Sequence, residues 1–261
     1  MPYTFCIMGG DARQRAAARA LRRAGHTVLG PGQAALCQVL LLPLPAASTP
    51  ELQAVLACAA PGTLVLAGRP SPQVRQAVEA AGLPLVDYSC RPELAALNAV
   101  PTAEGCLALL LEQRDRTLWQ SPVLVLGYGR VGQAVARRLA ALGAWVTVAA
   151  RSAEQRAAAR CAGCRAAPLT QLTRLLPGFD AVVNTIPAPV LTRTELACLP
   201  AGAVVIDLAS APGGTDFAAA ADLGLRAQLA TGLPARSAPC TAGELLADTV
   251  LNILQEREEQ P

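Results

Sequence analysis

The chain contains no lysine: all 22 basic residues are arginine, and there is one histidine, His26. Without lysine no Schiff base can form, and no ammonium can act as general acid or base. With its only histidine in the first hundred residues, the later half has no counterpart to the His–carboxylate pair of 2-hydroxy-acid dehydrogenases. Aromatic residues make up 3% of the chain, whereas 52% is hydrophobic, with alanine and leucine dominating, a balance that suits helices packed on parallel sheets. Long apolar runs are missing too, because Pro, Gly, Gln or Arg break every candidate short of the about 18 residues a membrane span needs. The opening MPYTFCIMGG has no basic stretch and flows into a strand–turn pattern, so no signal peptide and no membrane partner are expected. The nine cysteines show no framework spacing and are expected to be reduced, small apolar residues. Cys161 and Cys164 form a C-x-x-C without a second pair or histidine cluster, so no metal is expected. A net charge of +3 with no basic run argues against nucleic acid as the main partner.

What is present is most informative at residues 123–151, VLVLGYGRVGQAVARRLAALGAWVTVAAR. An apolar run, 123–126, reads as a buried parallel strand, and Gly127, Gly129 and Gly132 follow at G-x-G-x-x-G spacing. A helix to about residue 142 is stopped by Gly143 before a second apolar run at 144–150. The first glycine permits the tight turn, the second lets the backbone approach a pyrophosphate, and the third lets helix and strand pack closely. The loop Gly127, Tyr128, Gly129, Arg130, Val131 and Gly132 is therefore the expected dinucleotide site. Where NAD-specific sites carry an acid about 20 residues beyond the glycines, this chain has Arg151 followed by Ser152. A guanidinium suits a 2′-phosphate and a carboxylate would repel it, so NADP is favoured, with NAD as the alternative.

At 261 residues the chain has room for two modest α/β domains. Strand–helix alternation fills the first third, with strands at 4–8, 26–29, 39–42, 63–67 and 83–86 and helices at 11–24, 49–59 and 72–81. A helix at 102–114 precedes the glycine unit; helices at 153–162 and 169–175 and strands at 181–185, 203–208 and 226–230 follow it, with a final helix at 242–255. The expected fold class is α/β: two doubly wound parallel-sheet domains, the C-terminal one a Rossmann NAD(P)-binding domain, joined by bridging helices. The expected divisions are an N-terminal α/β substrate or partner domain (1–100), a bridging helix (101–120), the dinucleotide-binding domain (121–237) and a terminal helix (238–261) packing back toward the first domain. Ligands would sit in a cleft at the carboxyl ends of the strands.

Several stretches beyond the glycine loop then stand out: GGDARQ from Gly9, PTAEG from Pro101, NTIP from Asn184, DLAS-x-PGGTDF from Asp207, GLP from Gly232 and TAG from Thr241. Together with GYGRVG, in this order over nearly the whole chain, they resemble the family of dipicolinate synthase A subunits of spore-forming bacteria. The resemblance implies oxidation of a dihydrodipicolinate, derived from 4-hydroxy-tetrahydrodipicolinate, to pyridine-2,6-dicarboxylate. It also implies a flavoprotein-like partner, the B subunit of dipicolinate synthase, a small dicarboxylate substrate, and a place in the cytoplasm of the sporulating mother cell. A homo-oligomer is left open. Loss of water followed by hydride transfer gives an aromatic ring, so catalysis needs mainly positioning and charge complementarity. The family pattern puts a lysine before the last T-A-G and a basic residue between DLAS and PGG. Here those positions are Cys240 and Ala211, and Arg236 or Arg13 would have to stand in.

The candidate residues follow. Asp11, Arg13 and Gln14, just after the first strand, could hold a substrate carboxylate; an N-cap with two solvated helix residues fits them equally. Thr102 could cap the bridging helix, with free N–H groups for a carboxylate and Glu104 as proton acceptor, though plain capping explains both. Thr185, Ile186 and Pro187 are expected to line the nicotinamide ribose, with Leu208, Ala209 and Ser210 in the corresponding place one strand later. Gly213 and Gly214 could let backbone approach ligand or simply serve a turn. Gly232, Leu233 and Pro234 are placed near the carboxamide. Two other readings stand beside the oxidoreductase. One is a non-catalytic cofactor-binding or regulatory component of a two-subunit synthase, favoured by the thin supply of acid–base groups. The other is a methylene-tetrahydrofolate, shikimate or alanine dehydrogenase, each of which relies on a lysine this chain lacks.

Overall fold

The structure, a computed structural model, describes residues 1–259; the last two positions of the expected terminal segment, Gln260 and Pro261, lie outside the described residues. The chain divides into two units, one formed by Met1–Asn98 together with the residues from Ala238 onward, the other by Ala99–Ser237.

The first unit carries strands β1 (Thr4–Ile7), β2 (Thr27–Leu29), β3 (Val39–Leu41), β4 (Leu64–Ala67) and β5 (Leu85–Asp87), with helices α1 (Ala12–Arg23), α2 (Pro50–Cys58) and α3 (Pro72–Ala80). The strands are all parallel, in the order β2-β1-β3-β4-β5. Strand alternation sorts the core into two layers. Phe5, Ile7, Leu41 and Leu66 face one side, while Cys6, Leu40, Leu42, Val65 and Ala67 face the other, with Leu52, Val55, Val74 and Val78 from α2 and α3. Helix α1 starts where Asp11 accepts a hydrogen bond from the Gln14 N–H at 2.7 Å and ends with Arg22 and Arg23 in its last turn, where cations complement the helix dipole.

The chain leaves this unit within α4 (Pro92–Glu112), which begins ten residues before the sequence-based start at 102. Thr102 reads from sequence as the cap of the bridging helix, but both it and Pro101 lie inside this helix. Residues 113–120, expected as part of the bridge, are turns and irregular backbone instead. Helix α4 is also long and apolar enough to cross a membrane by length and composition, although no uninterrupted apolar run was visible in sequence. Burial accounts for that character, since Ala103, Cys106, Leu107 and Leu110 sit in the core of the second unit.

The second unit contains β6 (Pro122–Leu126), α5 (Arg130–Ala141), β7 (Trp145–Ala150), α6 (Ala153–Cys161) and β8 (Arg165–Pro168). After them come α7 (Leu172–Leu175), β9 (Ala181–Asn184), α8 (Arg193–Leu196), β10 (Val204–Asp207), α9 (Phe217–Asp222), β11 (Arg226–Leu229) and α10 (Leu233–Ser237). Its six parallel strands run β11-β10-β9-β6-β7-β8. Numbered from the unit's own first strand, this is the 3-2-1-4-5-6 order of Rossmann sheets, with the reversal between β6 and β9. Strand β8 was not legible in sequence: RAAP has no β-branched residue, and pairing with β7 holds it at the sheet edge. The last helix, α11 (Pro239–Glu259), belongs to the first unit, where Leu246, Ala247, Val250, Ile253 and Leu254 join Phe5, Leu21 and Leu41 in one core layer.

Candidate dinucleotide site

The site is built on the loop between β6 and α5, at the point where the strand order reverses. Gly127 has φ of 87°, and a Cβ there would lie 2.7 Å from the Thr185 Oγ1 and 2.9 Å from the Ile186 side chain. A Cβ on Gly132 would lie 2.4 Å from the Gly127 carbonyl oxygen. Around Gly129, by contrast, a Cβ would meet nothing within 4 Å. Two glycines are thus occupied by protein contacts, and the middle one opens on free space at the amino end of a 12-residue helix. That combination fits a pyrophosphate: close backbone approach, free N–H groups and the positive end of a helix dipole.

Arg130 is exposed at the first turn of α5, and Val131 is half-buried beside it. Tyr128 turns its ring into the core, where burial pushes its hydroxyl pKa up, so only its backbone serves the loop. Thr185 closes the loop from the neighbouring strand: its N–H and hydroxyl both donate to the Leu126 carbonyl, at 3.0 and 2.7 Å. Ile186 packs on Gly127, and Pro187 is exposed beyond it.

At the tip of β7, Arg151 is exposed and Ser152 caps α6 by accepting from the Gln155 N–H. Sequence reading missed Arg156, whose guanidinium donates to the carbonyls of Ala150 and Arg151 at 2.9 and 2.6 Å. Its signal was its place one turn beyond the Ser152 cap, which returns the side chain to the strand end. Neither arginine has a carboxylate partner among the described residues. The place an NAD-binding acid would hold therefore carries two guanidinium groups, a donor set that fits a phosphate on the ribose.

Behind the next two strand ends lies a network that sequence reading also missed. Asp207 is fully buried and accepts from the N–H groups of Ala209 and Gly214 at 2.9 Å each, from the Thr215 hydroxyl at 2.7 Å and from the Asn184 amide at 3.1 Å. Asn184 accepts from the Ile186 N–H at 3.0 Å. Asn184 and Asp207 thus hold the loops after β9 and β10, the first of which carries Thr185, Ile186 and Pro187 and the second Leu208, Ala209 and Ser210. Gly214 corrects the ligand-approach expectation: a Cβ there would strike the Asn184 amide and the carbonyls of Ile186 and Ala188 at 2.5–2.6 Å. Its missing side chain serves packing. Gly213 is buried in the same turn, its N–H donating to the Ser210 carbonyl, while Ser210 itself is exposed.

Gly232 leads directly into α10, with Leu233 in the core, Pro234 half-buried and Arg236 exposed. Thr102 lies at the middle of α4, so it does not cap the helix, and the free N–H groups expected there are absent. Glu104, on the same helix, is exposed and ion-paired with Arg138 of α5 at 3.4 Å. The glycine of PTAEG, Gly105, faces Ser237 and Leu233 so closely that α4 packs on α10 only without a side chain there. A cavity of about 370 Å³ between Arg114, Asp180 and Arg226 lies at the amino ends of β9, β10 and β11, opposite the nucleotide loops.

In the first unit, Arg13 is buried and donates to the Leu44 carbonyl at 2.5 Å, with Asp11 at 3.6 Å. This replaces the solvated-arginine alternative. Gln14 is 1% exposed, and neither atom of its amide has a hydrogen-bond partner. Gly243, of the TAG motif, lies against α1, where a Cβ would meet the Arg13 carbonyl oxygen at 2.4 Å.

Residues 123–257 match the family model of the saccharopine dehydrogenase NADP-binding domain. Over 172 residues the chain is 41% identical to the A subunit of dipicolinate synthase from Bacillus subtilis strain 168, covering 66% of this chain and 58% of that protein, less than two thirds of its length. The crystal structure of the A subunit of dipicolinate synthase from Bacillus halodurans superposes with a TM-score of 0.87 at 32% identity, covering 97% of both proteins. That of its Bacillus subtilis counterpart gives 0.87 at 30% identity, covering 100% of this chain and 98% of the other.

Proposed function

The chain belongs to the family of dipicolinate synthase A subunits, and on that premise we propose that it oxidises a dihydrodipicolinate-type ring to pyridine-2,6-dicarboxylate, using NADP. The observation that carries the redox half is the open face at Gly129, framed by two blocked glycines at the reversal of a 3-2-1-4-5-6 sheet. When bound, the nicotinamide supplies the hydride acceptor. The chain's own residues bind and orient. Gly127, Gly129, Arg130 and Gly132 receive the pyrophosphate, Arg151 and Arg156 the ribose 2′-phosphate, and the loops at Thr185, Leu208 and Gly232 flank the rest of the cofactor. The substrate, derived from 4-hydroxy-tetrahydrodipicolinate by loss of water, gives up a hydride and a ring proton on aromatising. Glu104, with Thr102 half a turn before it, is the proposed proton acceptor, and Ser210, Gly213 and Arg236 the proposed carboxylate contacts. Arg13 and Gln14 are proposed as carboxylate ligands of the first unit, with Asp11 capping their helix and lying 3.6 Å from Arg13. A flavoprotein-like second subunit and the cytoplasm of the sporulating mother cell complete the reading.

A second reading has its own support. The segment 99–237 contains neither lysine nor histidine, and its proposed proton acceptor is engaged by Arg138. A cofactor-binding component whose partner does the chemistry would need no more. Mixing the chain with freshly generated 4-hydroxy-tetrahydrodipicolinate and NADP, while following dipicolinate absorbance and NADPH, separates the two. Matching product and NADPH from the chain alone support catalysis here. No product, with or without the second subunit, would overturn it. Arg151→Asp should weaken NADP binding by about tenfold or more while leaving NAD nearly unchanged. Equal losses would remove the 2′-phosphate assignment.

A further inference from the structure

On the first unit, one face of α1 presents Arg15, Arg19 and Arg22, spaced four and three residues apart. They line a cavity of about 340 Å³ whose other walls are Ile7 and Gly9 at the end of β1, and Val28, Leu29 and Gly30 at the end of β2. Arg15 donates to the Gly10 carbonyl, Arg22 to the Val28 carbonyl at 3.2 Å, and Arg19 approaches the Cys240 sulfur at 3.7 Å. None of the three has a carboxylate partner among the described residues, although the adjacent Arg23 pairs with Glu244 at 2.7 Å. Like charges at this spacing repel, so the arrangement costs stability unless an anion compensates it.

Gln14 lines the same cavity and gives the second, independent sign. It is 1% exposed, yet both its amide oxygen and its amide nitrogen lack a partner. A buried amide left unmatched is destabilising, and an apolar residue of similar size would serve the core better. Both of its missing hydrogen bonds would be supplied by a ligand seated beside the three guanidinium groups.

We infer that this cavity is an anion site for a compact dianion, one that also offers a hydrogen-bond donor and an acceptor to Gln14. The guanidinium groups meet the two anionic groups, and the amide fixes the orientation of the molecule. Hydrogen phosphate has both donor and acceptor, whereas a small dicarboxylate dianion has only acceptors and would match the Gln14 amide nitrogen alone. The inference touches the proposed function only in giving Gln14 a ligand; the redox reading can fail without it.

The test uses the full chain. Its melting temperature and calorimetric binding are measured with inorganic phosphate, with pyridine-2,6-dicarboxylate, and with chloride at matched ionic strength. NADPH binding is titrated in parallel as the separate readout of the second unit. One or both dianions should bind where chloride does not, and which one binds identifies the source of the ligand. Arg19→Gln, at an exposed position, should lower that affinity by about tenfold or more. Gln14→Leu should lower it likewise while raising the melting temperature of the ligand-free chain. NADPH binding should be unchanged in both variants. The inference is overturned if chloride reproduces the effect, if neither dianion binds, or if both variants bind as tightly as the parent.

Discussion

Asp207 accepts four hydrogen bonds from four different donors, two of them backbone N–H groups, and so fixes the loops on which the cofactor contacts sit. Asp87 plays a similar part in the first unit. Burial would push its carboxyl up, but the Ser89 hydroxyl, the N–H groups of Arg69 and Ser89, and the Arg75 guanidinium outweigh burial and hold it below the usual range. A carboxyl depressed by folding stabilises the native state fully above its unfolded value of about 3.9, and that contribution fades as pH falls through the lower native value. Asp87→Asn should therefore cost stability near neutral pH, with the gap to the parent narrowing below about pH 4 in thermal unfolding. A constant gap across that range would show that the depressed carboxyl is not its source. Neither carboxylate could be singled out from sequence. A strand-end aspartate looks the same whether it reaches solvent or four donors, and the donors of Asp207 include residues eight and twenty-three positions away.

Among the elements, the β6–α5 turn was fully legible because its signal is local: an apolar strand, three glycines and an amphipathic helix in one continuous stretch. Its glycines also make separable predictions. Gly129→Ala should leave thermal stability unchanged, since its Cβ enters open space, while reducing NADPH affinity by about tenfold or more through loss of close phosphate approach. Gly132→Ala should lower both, because its Cβ meets backbone that cannot swing aside. Equal stabilities in the two variants would refute the division of roles. Helix α4 was misread for an equally local reason. Proline is disfavoured inside a helix and threonine is a good cap, so Pro101 followed by Thr102 reads as a boundary. Burial of Ala99, Ala103, Cys106 and Leu110 holds the helix through it. The motifs that carry the family resemblance divide in the same way. NTIP and DLAS-x-PGGTDF contain the Asn184–Asp207 network, whereas the glycines of PTAEG and TAG serve helix packing.

For the molecule as a whole, alternating apolar runs were enough to give two parallel sheets with helices on both faces. The terminal helix expected to pack back toward the first domain followed from chain order, but its packing partner did not, because the pairing of α1 with α11 joins residues more than two hundred positions apart. The contact depends on Gly243, so Gly243→Val should cost about 1–3 kcal/mol in thermal unfolding. Full retention of stability would show that the two helices can move apart freely.

The two-part make-up of the first unit sets an order of events during synthesis. When the ribosome has made residue 98, every strand of the first unit's sheet has been synthesised, but the helix that supplies Leu246, Val250 and Leu254 to its core has not. At about 5–20 residues per second, the roughly 150 residues still to come take on the order of ten to thirty seconds. The whole nucleotide-binding unit emerges in that interval. The first unit can thus complete its core layer only after the whole nucleotide-binding unit has been made.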